Sequence, residues 1–254
     1  MSIEIKKNNK LDLDIPEFNC DDNPIGEHLN KYPMLKELNR FNFVGILGRP
    51  GSGKTSFLVS LLTGKGKNRI LRKAYDNIII VMPTSSRESM KKNPFEHHNS
   101  EKMFEELDYT NMEKIYQMIK ASASNKETTL LILDDVTSAL KNKEIQKMLR
   151  LLVYNRRHNK LSIYCLIQSY IAVPRELRKL FTNLISFKVG KVEFEILMSE
   201  CFELQRDVAL NLLQFAYQKP HDYLFLSIES QKMFQNFDEI IIHKPEDNDN
   251  KIEK

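Results

Sequence analysis

The sequence has no apolar run approaching the length of a membrane span; the longest, such as Ile78-Ile79-Ile80-Val81-Met82, are strand-sized. Its first residues, Met1 to Lys7, lack the apolar centre of a secretory leader, so no secretory signal is expected. Cysteine is scarce. Cys20, Cys165 and Cys201 lie far apart and form no C-x-x-C spacing, which argues for reduced thiols in a cytoplasmic-type compartment and against a zinc site. The adjacent His97 and His98 have no carboxylate or cysteine at ligand spacing, so they read as part of a solvated loop. No internal repeat is visible. A strong excess of one charge is also lacking: a net +4 is compatible with a nucleic-acid partner without demanding one.

What is present suits a globular chain, with 41% hydrophobic and 28% charged residues. Strands are expected at 41–47, 77–82, 129–134, 162–168, 184–189 and 222–228. Most are rich in Ile, Leu and Val without strict alternation, the pattern of strands buried on both faces of a parallel sheet. Helices are expected between them: one following residue 55, one opening on a capping box at Thr110-Asn111-Met112-Glu113, one over 144–157, and two within 192–217 broken near Leu204-Gln205. The alternation predicts an α/β fold, a mainly parallel sheet flanked by helices. Residues 1–40 read as a polar N-terminal extension, 41–243 as one domain and 244–254 as a flexible tail.

Gly48-Arg49-Pro50-Gly51-Ser52-Gly53-Lys54-Thr55 fills the G-x-x-x-x-G-K-[ST] pattern between an apolar strand and a helix. In that context successive backbone N–H groups form an anion nest and the helix N-terminus adds its dipole. Gly48 through Ser56 are therefore the expected nucleotide-binding residues, with Lys54 reaching the β- and γ-phosphates and Thr55 ligating Mg²⁺. Thr129-Leu130-Leu131-Ile132-Leu133 then runs into Asp134-Asp135, the Walker B form. Asp134 is expected to hold Mg²⁺ and Asp135 to polarise the attacking water. Gln168 ends the strand after that, on the edge that carries the phosphate loop, and is suited to sense a γ-phosphate or its water. Arg157, in the basic cluster Arg156-Arg157-His158, fits either an arginine finger or an ordinary cation at a helix C-terminus.

Taken together these segments resemble the FtsK–HerA group of DNA-pumping P-loop ATPases, with a RecA/ASCE-like sheet. Over roughly residues 35–230 they look most like the poxvirus-type packaging ATPases of large DNA viruses and virophages. The resemblance implies ATP and Mg²⁺ as cofactors and a homo-oligomeric ring, usually of six, around double-stranded DNA. It also implies capsid or membrane-vertex partners, with the chain itself soluble in the host cytoplasm or the virion. In it Arg157 is the arginine offered to the neighbouring subunit's nucleotide, with Arg156 as fallback, and Gln168 is the sensor. Asp135 departs from the glutamate usual in the wider class. Pore-lining candidates are Arg87, Lys91 and Lys92, or Arg175, Arg178 and Lys179. A plasmid or cellular DNA-transfer ATPase, a small-molecule kinase, or a slowly hydrolysing nucleotide-gated adaptor shares parts of the pattern.

Overall fold

The computed structural model describes residues 32–65, 70–88 and 95–242. The N-terminal residues through 31, the tail from 243, Cys20, and the pore candidates Lys91 and Lys92 lie outside the described residues.

Six strands form the parallel part of the sheet: β1 (Phe43–Leu47), β2 (Asn77–Val81), β3 (Met103–Phe104), β4 (Thr129–Asp134), β5 (Leu161–Ile167) and β6 (Asn183–Phe187). Three more, β7 (Tyr223–Ser227), β8 (Lys232–Gln235) and β9 (Asp238–Ile240), add to β6 in antiparallel fashion. The order across the sheet is β3-β2-β4-β5-β1-β6-β7-β8-β9. The six expected strands are therefore present, within two residues of the expected ends. β3, β8 and β9 were not expected: β3 is two residues long, and the outer residues of β8 and β9 are exposed, so none carries a buried apolar run.

Successive side chains of a strand point to opposite faces, and here both faces are covered. Phe43 and Leu47 join the core under α4 (Tyr109–Ser124), α5 (Lys143–Tyr154), α7 (Lys191–Phe202) and α8 (Arg206–Ala216). Val44 and Ile46 join the core under α1 (Pro33–Lys36) and α2 (Lys54–Thr63), where they meet Leu58, Leu61 and Met34. That three-layer arrangement is why β1 and β4 are apolar at nearly every position instead of alternating. Two short helices, α3 (Thr84–Glu88) and α6 (Arg175–Arg178), sit at strand ends.

Within the polar extension, residues 33–38 pack on the sheet: Met34, Leu35 and Leu38 are buried, and Asn183 donates to the Glu37 carbonyl at 2.9 Å. One expectation needs correction. The cap of α4 is Asp108, two residues before Thr110. Its carboxylate accepts from the Asn111 N–H at 2.7 Å, so an N-cap aspartate supplants the capping box.

Candidate active site

Parallel strands β1, β4 and β5 all end on one edge of the sheet, and the loops leaving their C-terminal ends meet there. The Gly48 N–H still bonds to the Ile167 carbonyl at 3.1 Å, which ties the first loop residue to β5. Beyond it, Gly51 (φ 77°) and Gly53 (φ 108°) take the left-handed conformation that side chains resist. Gly48 is needed for space: a Cβ there would lie 2.4 Å from Ser52 Oγ and 2.9 Å from Phe187 Cβ. α2 then begins at Lys54 with Gly53 as N-cap and no side chain capping it. The first amides of that helix are therefore available to an anion.

Lys54 folds back over this loop, its Nζ donating to the Gly48 carbonyl at 2.6 Å and the Arg49 carbonyl at 3.1 Å. Burial lowers its pKa, against the opposing charges of Asp134 and Asp135. Asp134, only 7% exposed at the end of β4, has its carboxyl pushed up to about 6. Burial is the main cause and the charge of Asp135 adds to it, while Lys54, the Asp135 N–H and the Thr55 hydroxyl pull the other way. Asp135 comes next with φ 54°, a conformation that aspartate tolerates better than most residues. Its Oδ1 accepts from Gln168 Nε2 at 2.8 Å.

These groups line one cleft of about 280 Å³: Pro50, Gly51, Lys54, Thr55, Asp134, Asp135 and Gln168, joined by Ser86 and Leu166. Ser56 is exposed on the first turn of α2. The donor set suits a hard divalent cation. A desolvated carboxylate on Asp134, hydrogen-bonded to the Thr55 hydroxyl and flanked by Asp135, is an oxygen cluster short of positive charge.

Arg157 is elsewhere. It precedes β5, whereas Gln168 comes after it, so a seven-residue strand separates the two. At the usual strand rise that is about 20 Å, well beyond the reach of an arginine side chain to its own phosphate loop. Arg40, Arg156, Arg157 and Lys160 instead border a second cleft, of about 410 Å³, at the opposite edge of the sheet. The fallback, Arg156, is committed to the fold: Nε donates to the Phe41 carbonyl at 2.7 Å and a terminal nitrogen to the Val153 carbonyl at 3.1 Å. Arg178, one of the pore candidates, is paired with Glu200 at 3.2 Å and lies over the Tyr170 ring at 4.9 Å. Arg87 pairs with Glu105 at 3.1 Å. Arg175 and Lys179, at the two ends of α6, are exposed.

Two residues in or against the site were not expected. Ser86 enters from α3, just past the end of β2. That strand also ends on the site edge, so the polar residues after it were findable by topology. His221 comes from the turn before β7, and its Nδ1 sits 2.9 Å from the Ser52 carbonyl. Nothing local in the sequence marks it. His98, by contrast, contacts the Ile78 carbonyl through Nε2 at 2.9 Å.

The family described as Poxvirus A32 protein matches residues 30–254. No curated protein sequence matches the chain. Among solved structures, the chain is similar to the genome packaging NTPase B204 from Sulfolobus turreted icosahedral virus 2 in complex with AMPPCP. The TM-score is 0.57 at 16% identity, over 80% of this chain and 98% of that one. B204 from Sulfolobus turreted icosahedral virus, described as a DNA-packaging ATPase, gives a TM-score of 0.56 at 17% identity, over 80% and 99%. EssC (ATPases 2 and 3) from Geobacillus thermodenitrificans gives 0.53 at 12% identity, over 78% of this chain and 40% of that one. At such identities the likeness establishes the fold alone, a mainly parallel α/β sheet flanked by helices.

Proposed function

Because the chain belongs to the Poxvirus A32 protein family, we propose that it is an ATP-hydrolysing translocase that packages viral double-stranded DNA. The observation that carries this reading is the convergence of Lys54, Thr55, Asp134, Asp135 and Gln168 on one cleft at the end of the parallel strands. The description of B204 as a genome packaging NTPase supports the same direction.

In this reading the loop amides from Gly51 to Thr55 cradle the phosphates, and Lys54 exchanges its carbonyl partners for β- and γ-phosphate oxygens. Thr55 and Asp134 hold Mg²⁺, which when bound neutralises charge on the phosphates. Asp135 orients the attacking water and takes up its proton. Gln168, which here donates to Asp135, turns to the γ-phosphate and leaves that carboxylate to the water. Aspartate suffices in place of the longer glutamate because the left-handed turn at Asp135 re-aims its shorter side chain. Arg157, too far from its own site, serves the nucleotide of a neighbouring subunit in a ring.

The test is ATP hydrolysis with and without duplex DNA. Wild type should be stimulated by DNA, and Lys54→Ala should lose activity by at least about a hundredfold. A Lys54→Ala protein with normal DNA-stimulated turnover would end the assignment.

A further inference from the structure

The phosphate cleft accounts for phosphates, metal and water, but it offers no place for a nucleoside. On the β4 and β5 side it is closed by Asp134, Asp135 and Gln168, all polar groups. The opposite side, over β6 and β7, has different chemistry. There the start of β7 and the end of β8 come to the same sheet edge as the phosphate loop, because β6, β7 and β8 pair in antiparallel succession. From this juxtaposition we infer that the turn at His221 and the turn at Asn236-Phe237 form the seat for the base and sugar of the bound nucleotide. The inference rests on the nucleotide reading of the loop.

Three observations support it. First, a chain of aromatic rings leads away from the loop. Phe187, which packs beneath Gly48 and Gly53, is 5.9 Å from Tyr223, and Tyr223 is 6.5 Å from Phe237 in an edge-to-face contact. Phe237 ends the chain with 46% of its surface exposed, an aromatic ring held edge-to-face against Tyr223 and open to the outside. Such a face can stack a purine or pyrimidine ring.

Second, His221 touches the loop itself. Its Nδ1 is 2.9 Å from the Ser52 carbonyl, which can only accept, so Nδ1 carries the proton. In the neutral ring Nε2 is then left as an acceptor for a base amine or a ribose hydroxyl.

Third, the two turns are fastened to each other. Asp222 accepts from the Lys219 N–H at 2.7 Å and from Asn236 Nδ2 at 3.0 Å, and Asn236 Oδ1 in turn accepts from the Tyr223 N–H at 3.2 Å. His221 (φ 68°) and Asn236 (φ 53°) both hold the left-handed conformation that this fastening stabilises.

The experiment compares binding of Mg-ATP with binding of inorganic tripolyphosphate, which has the phosphates and no nucleoside, by calorimetry. Phe237→Ala should weaken ATP by about tenfold, in line with loss of one stacked base, while tripolyphosphate changes by less than about twofold. Phe237→Trp should restore ATP binding. A structural fault would weaken both ligands together, so an equal loss, or ATP binding like wild type in Phe237→Ala, overturns the seat. Lys54→Ala should lose both ligands. Wild-type protein that bound neither would overturn the nucleotide reading and the seat with it.

Discussion

Asp134 is a carboxylate held where water hardly reaches it, and its raised pKa measures how much its charge costs the fold. Its carboxyl has moved from an ordinary 3.8 to about 6. For an acid raised on folding, the stabilising contribution is complete below pH 3.8 and is lost as pH rises through about 6. Metal-free wild type therefore carries a penalty at pH 7.5 on the order of 2–3 kcal/mol. Asp134→Asn should melt higher than wild type in chelator at pH 7.5, with the gap closing by pH 4, and should hydrolyse no ATP. A variant that melts lower at pH 7.5 would show that the ionised carboxylate stabilises the fold. The residues of this site were legible in the sequence because the loop and the Asp134-Asp135 pair are contiguous motifs, each attached to a buried strand. Ser86 and His221 were not, because each reaches the loop only through the order in which strands pair.

At the scale of elements, the buried strands were legible and the exposed ones were not. Leu130, Leu131, Ile132 and Leu133 are each fully buried between two helical layers, and that double burial is what writes an uninterrupted apolar run into the sequence. β8 and β9 extend the sheet past β7 through backbone bonds, with Lys232, Asp238 and Glu239 exposed, so no run announces them. The arginines before β5 show the same division. Arg156 joins the C-terminus of α5 to the start of β1 through the Val153 and Phe41 carbonyls. Losing two charge-assisted bonds in Arg156→Ala should lower stability by about 2–3 kcal/mol in denaturant unfolding; an unchanged midpoint would place the anchor elsewhere. Both arginines sit in one basic tripeptide, and only the fold shows which backbone carbonyls Arg156 reaches.

For the whole molecule, the two clefts lie at opposite edges of one sheet, the acidic and phosphate-binding groups at one and Arg157 at the other. A single subunit cannot bring them together. In the ring proposed above, two subunits would bring them together, and hydrolysis at each site would then depend on a neighbour. Among the described residues no helix is long and apolar enough to cross a membrane. Movement of DNA is the claim that unites the site, the ring and the family. The most direct measurement is single-molecule tracking of a tethered double-stranded DNA on wild-type protein with Mg-ATP. The account predicts directed shortening of the tether that stops when ATP is replaced by a non-hydrolysable analogue. Steady DNA-stimulated hydrolysis with a tether of constant length would contradict it.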